Sequence, residues 1–195
     1  MSVDTPSLPM KDIDLVPFEQ ADVDAQYGAW LHDLEVIRLL EVARQNRSKE
    51  ALLQYVTAVI SDPDRHFFKI VAREASEKIG TISLHVNQPQ GLAHYGYLLG
   101  EREYWGGNFA LQAQVGLFDF AFGTLKVRKI AGGACTENIG SNFNFSRLGF
   151  KREGIRKAHV LVGTEGDETA DVAEYGCLAA EWAENSVKFN NFRSF

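Results

Sequence analysis

Cysteine is scarce in this chain: Cys135 and Cys177 are the only two, far apart and outside any CxxC pair. That argues against a disulfide framework or a cysteine-based zinc site and for a reducing compartment. No apolar run approaches the ~18 residues that cross a bilayer. Asp4 and Asp12 stand where a signal peptide needs a positive start and an apolar core, so a cytoplasmic protein without membrane contact is expected. The five histidines show no HxH or HExxH spacing, so no metal is expected. Neither a Gly-Lys-Ser/Thr loop nor a GxGxxG fingerprint is present, which removes the common nucleotide-binding signatures.

What is present is one domain's worth of ordinary globular sequence: 195 residues with 45% apolar and 24% charged side chains and a formal charge of −6. The charge is uneven. From Lys126 to Lys157 there are eight basic residues (Lys126, Arg128, Lys129, Arg147, Lys151, Arg152, Arg156, Lys157) against Glu137 and Glu153. A basic zone in an acidic domain fits a small phosphate-bearing anion better than nucleic acid, so no nucleic-acid partner is expected. The organisation expected is a flexible arm over 1–10, a single domain over 11–185 and a C-terminal tail over 186–195.

The patterning predicts a short strand around Ile13–Phe18, a helix from Asp22 to Leu31, and a short helical turn from Asp33 through Leu40. Ser48 caps a helix whose apolar side chains recur at Leu52, Tyr55, Val56, Val59 and Ile60. Strand-like runs at 66–72, 79–86 and 94–99, joined by short polar links, predict an antiparallel meander. A glycine turn then opens a long helix with an apolar girdle, followed by a strand at 127–134 and a helix at 139–148. A part-strand at 150–162, a strand at 171–178 and a helix at 179–183 complete the pattern. The fold class expected is α/β (α+β): a mixed, largely antiparallel sheet with helices on both faces.

The segment Tyr104-Trp105-Gly106-Gly107-Asn108-Phe109-Ala110 carries chemistry. Glycines at a helix start let ligand oxygens approach the backbone, and the free N–H groups and positive dipole end suit a pyrophosphate. After the following strand comes Asn138-Ile139-Gly140-Ser141, then Leu148-Gly149-Phe150. Together these motifs resemble the GNAT N-acetyltransferase superfamily over about residues 11–183, in the branch of ribosomal-protein N-terminal acetyltransferases. The stretch Trp30 to Glu41 is similar to the front segment of acetyltransferases that act on nucleotide-linked amino sugars.

The resemblance implies acetyl-CoA as acyl donor, lying between two splayed strands. Its pantetheine would pair with the backbone of Leu98 and Leu99 and contact Asn138 and Ser141. The amides of Gly106, Gly107, Asn108, Phe109 and Ala110 would hold its pyrophosphate, and the basic zone would neutralise its adenosine phosphates. Three positions depart from the family: Glu103 replaces Gln or Arg, Asn108 a small residue, and Phe145 the tyrosine that protonates the leaving thiolate. Ser141 or water is then left to supply that proton.

The base must take a proton from an ammonium near neutral pH, which suits imidazole, so His94 is the first candidate. His85, Glu41 and Glu137 follow it, and Glu41 is assigned to the acceptor. Cys135 reads as a structural thiol, and Phe143, Phe145 and Phe150 as core. The activity expected is acetyl transfer to a small-molecule primary amine, including a nucleotide-linked amino sugar. A protein N-terminal amine and a CoA-binding module without turnover are the alternatives. The oligomer is open, a homodimer included.

Overall fold

The structure, a computed structural model, describes residues 5–194. Its strands are β1 (Leu8–Pro9), β2 (Ile13–Pro17), β3 (Arg65–Ala72), β4 (Glu77–Asn87), β5 (Leu92–Leu99), β6 (Lys129–Cys135), β7 (Lys151–Leu161) and β8 (Thr169–Leu178). They form one eight-stranded sheet in the order β1-β2-β3-β4-β5-β6-β8-β7. Every pairing is antiparallel except β5 with β6.

Alternation along the strands divides the core between two faces. Phe68, Ile70, Ile82, Leu84, Ala93 and Ile130 are buried on one face with helix α4 (Phe109–Gly123), helix α5 (Ile139–Leu148) and Trp182 of α6 (Ala179–Asn185). Phe67 and Leu98 point the other way, under α1 (Ala25–His32), α2 (Leu34–Ile37) and α3 (Lys49–Ser61). Helices therefore cover both faces, as the patterning predicts. The girdle on α4 is explained by its surroundings, since eleven of its fifteen residues are buried.

Local signals set most boundaries. Ser48 Oγ accepts from the Ala51 amide at 3.2 Å and starts α3, and Asp33 Oδ1 accepts from Glu35 N at 3.0 Å to start α2. The first helix begins later than the periodicity places it, because Asp24 rather than Asp22 caps it through the Tyr27 amide at 2.8 Å. Asp22 instead ends a 3-10 turn.

The expected arm over 1–10 is corrected at its end. Met10 is buried and bridges to Arg193, Leu8 and Pro9 pair with Leu15 and Asp14, and residues 1–4 lie outside the described residues. The tail over 186–195 packs too: Phe189 and Phe192 are buried beside Trp182, and Arg193 pairs with Asp119 at 2.7 Å, whereas Phe195 lies outside the described residues. Of the described residues, no helix is long and apolar enough to cross a membrane.

Candidate active site

The parallel pairing of β5 and β6 is short: Leu92, Ala93 and His94 match Lys129, Ile130 and Ala131, and there it stops. β6 turns away with β8, pairing as far as Cys135 with Val172, while β5 stays on β4 as far as Leu99 with Gly80. A wedge opens between them, as expected of splayed strands. The register decides which backbone groups face it. Gly100 N–H bonds the Ile79 carbonyl at 2.9 Å, so alternation makes Thr81 and Leu98 a hydrogen-bonded pair. The polar backbone of Leu98 thus faces β4, and Tyr97 and Leu99 present theirs to the wedge. Of the expected Leu98–Leu99 pair, Leu98 has its polar backbone turned to β4 and its side chain buried, so Tyr97 and Leu99 are the residues whose backbone groups are open to the wedge.

Beyond β5, Trp105 donates its indole N–H to the Leu99 carbonyl at 3.0 Å and fixes the glycine turn against the strand edge. Gly106 has φ +76°, and a Cβ built there meets nothing within 4 Å, so a ligand oxygen has clear approach. The first bond of α4 runs from Gln112 N to the Asn108 carbonyl at 2.8 Å, leaving the amides of Phe109, Ala110 and Leu111 without helical acceptors. A cavity of about 480 Å³ lies over this turn, lined by Leu98, Leu99, Gly106, Gly107, Ala110 and, across the wedge, Asn138. Arg38 and Arg147 supply its positive charge.

A second cavity, of about 700 Å³, lies over the other mouth of the wedge, with Glu41, His94, Cys135, Arg156 and Glu174 in its wall. The two share Leu39, Leu40, Tyr97, Asn138 and Ser141. At that junction Tyr97 Oη and Ser141 Oγ are 3.1 Å apart, and Asn138 Oδ1 caps α5 by accepting from Ser141 N at 3.0 Å. The structure therefore brings a pocket that holds free helix-start amides and two arginines, and a second, larger pocket, to a common point.

Residues 12–151 match the Acetyltransferase (GNAT) domain family. The chain belongs to the GNAT acetyltransferase family. It is 31% identical over 140 residues to the uncharacterized N-acetyltransferase p20 of Bacillus licheniformis, covering 70% of this chain and 76% of that protein. Among solved structures, spermidine N-acetyltransferase from Vibrio cholerae, in complex with CoA and spermine, superposes with a TM-score of 0.78 at 18% identity, covering 88% of this chain and 98% of that one. The ribosomal-protein-S5-alanine acetyltransferase of Vibrio fischeri gives 0.75 at 18% identity, covering 91% and 98%. The family's acyl donor is acetyl-CoA.

In this acetyltransferase the departures from the family pattern have local explanations. Glu103 does not line the cofactor-side cavity; it edges a separate hollow with Trp30 and Glu101. Asn108 holds φ −90° and ψ 8°, which any residue adopts, and its Oδ1 accepts from Arg147 Nη1 at 3.2 Å. Phe145 is buried and stacks on Tyr175 with centroids 4.3 Å apart. Gly132 makes room for that stack, since a Cβ there would stand 3.1 Å from Phe145 Cζ and 2.8 Å from Tyr95 Cε1. Phe143, read as core, is instead 60% exposed at the cofactor-side cavity, with Arg147 over its ring.

The basic zone is mostly spent elsewhere in the acetyltransferase. Lys129 pairs with Glu153 and Lys157 with Asp171, each at 2.6 Å, Lys151 with Glu181 at 2.5 Å, and Arg156 with Glu174. Of the eight basic residues only Arg147 lines the cofactor-side cavity, and Arg38, outside the zone, joins it. Sequence reasoning missed Arg38 and Tyr97. His94 and Glu41 line the second cavity, and both are exposed. His85 is the cross-strand partner of His94, and neither it nor Glu137 lines either cavity. Cys135 is buried and donates to the Leu39 carbonyl at 3.3 Å; burial pushes its thiol up, which keeps it protonated and structural.

Proposed function

We propose that this enzyme acetylates the primary amine of a small molecule, and that the reaction takes place where its two cavities meet. The shared wall of Tyr97, Asn138 and Ser141 carries the reading, because a group lying along one cavity and a group filling the other both border it. Acetyl-CoA supplies the activated acyl group. The amides at Gly106, Gly107, Asn108, Phe109 and Ala110 bind its pyrophosphate, with Arg38 and Arg147 as counter-charges. Backbone groups of Tyr97 and Leu99 orient the arm along the open edge of β5, and a backbone N–H on that edge steadies the oxyanion. Asn138 holds the start of α5 so that Ser141 faces the reacting carbonyl. His94 takes the proton from the amine, and Glu41 attracts the ammonium form into the cavity.

The acceptor cavity favours an amine without phosphate. Arg156, its one Lys or Arg, is already paired with Glu174, whereas Glu41 has no ion-pair partner among the described residues. A nucleotide-linked amino sugar would bring a diphosphate to a wall with no free cation. The test is release of free thiol from acetyl-CoA with spermidine, glucosamine, a nucleotide-linked amino sugar and an alanyl peptide. Turnover is expected with spermidine or glucosamine. Turnover of the peptide alone would move the assignment to a protein N-terminal amine, and binding of CoA without turnover of any amine would make this a binding module.

A further inference from the structure

We propose that Tyr97 stands behind Ser141 as the source of the proton that the departing thiolate receives. This rests on the acetyl-transfer reading above and adds a role that the position of Phe145 leaves open. A tyrosine on α5 is what the family resemblance implies for that role. Here a phenol reaches the same junction from the opposite wall of the wedge, on β5. Its Oη is 3.1 Å from Ser141 Oγ and 3.5 Å from Asn144 Nδ2, and both Tyr97 and Ser141 border both cavities. Ser141 alone is a poor acid, because the alkoxide left behind is a stronger base than the thiolate it protonates. A hydroxyl that is refilled as it donates avoids that charge.

The amine nitrogen bonds to the acyl carbon, the C–S bond breaks with its electron pair going to sulfur, and the surplus proton on nitrogen leaves to His94 or water. Ser141 passes its hydroxyl proton to sulfur and takes the Tyr97 proton in the same motion, and the phenolate recovers a proton from solvent through the open cavity. The net change is thioester plus amine to amide plus thiol. Burial pushes the Tyr97 phenol above the ordinary tyrosine range, partly offset by its bonds to Ser141 and Asn144, so at neutral pH it is loaded with its proton. The Asn144 amide N–H is placed to ease the transient negative charge.

Tyr97→Phe removes only the hydroxyl, and the ring keeps its place in the wall. The test compares wild type, Tyr97→Phe, Ser141→Ala and the double variant in acetyl-CoA turnover with the fastest of spermidine, glucosamine, a nucleotide-linked amino sugar and an alanyl peptide. It compares them again with S-acetyl-4-nitrothiophenol, whose thiolate leaves without help. With acetyl-CoA, kcat of Tyr97→Phe should fall about tenfold or more while CoA affinity by calorimetry stays within about twofold, and the double variant should be no slower than Ser141→Ala. With the nitrothiophenyl ester, Tyr97→Phe should match wild type. Unchanged kcat with acetyl-CoA, equal losses on both donors, or independent losses in the double variant would each overturn the relay. A wild type that consumes acetyl-CoA with none of spermidine, glucosamine, a nucleotide-linked amino sugar and an alanyl peptide would overturn the acetyl-transfer reading first, and the relay with it.

Discussion

The indole N–H of Trp105 bonds the carbonyl of Leu99 at 3.0 Å, tying the turn that starts α4 to the open edge of β5. The two surfaces proposed to hold acetyl-CoA are thereby kept at a fixed spacing. Trp105→Phe keeps an aromatic ring and deletes the donor. A hydrogen bond of ~1 kcal/mol lost from this spacing should weaken acetyl-CoA binding about fivefold in calorimetry. An unchanged dissociation constant would show that the turn is positioned by other contacts.

At Gly106 the consequence is larger. A valine there takes the space that is open in front of the turn and strains a backbone of φ +76°. Gly106→Val should remain folded by circular dichroism and lose CoA binding. The wild type, with CoA at ~100 times its dissociation constant, should gain ~2.7 kcal/mol in a thermal shift assay that the variant fails to show. A variant that is stabilised as much as the wild type would place the anion site elsewhere.

In the proposed reaction His94 takes the proton from the amine. His94→Gln keeps size and polarity and removes basicity, so kcat should fall by ~10²-fold or more with acetyl-CoA affinity within a few-fold. Full activity would make His94 a surface histidine of the His85 pair and move the search to Glu41.

His66 gives a pH signature away from the site. It is buried edge-on to Phe120 with Nδ1 at 2.9 Å from Thr5 Oγ1, and burial lowers its pKa against a smaller opposing effect of Asp64. Its folded pKa lies below the unfolded one, so the unfolded chain binds the proton first. The stability linked to this group is complete above about pH 6.5, the ordinary imidazole value, and is lost as the pH falls from there toward the folded value. Urea unfolding of the wild type between pH 7.5 and 5 should therefore decline more steeply than that of His66→Gln, and parallel declines would assign the acid limb to carboxylates.

The sequence shows what local chemistry dictates. Caps at Asp33 and Ser48, the meander, the glycine turn and the Asn138–Ser141 helix start are each written within a few consecutive residues, and each is found where it is expected. What stays hidden depends on contacts between distant segments. Tyr97 acquires meaning only beside Ser141, on an element that reaches it across the wedge. The basic zone looks like one anion site until Glu153 of β7, Asp171 of β8 and Glu181 of α6 pair with its lysines. Arg38 is an ordinary surface arginine until the Leu39–Leu40 segment folds over both cavities. The end segments read as loose because Met10, Phe189 and Phe192 are too few to form a pattern, yet they close one side of the core.

In the proposed reaction the sulfur of acetyl-CoA lies at the junction of the two cavities. A crystal structure of the protein with CoA measures this directly. The thiol should lie within ~3.5 Å of Ser141 Oγ, with the pyrophosphate on the amides from Gly106 to Ala110. A thiol that points away from Ser141, or a pyrophosphate bound on the paired basic residues of β7, would rule out this placement of the cofactor.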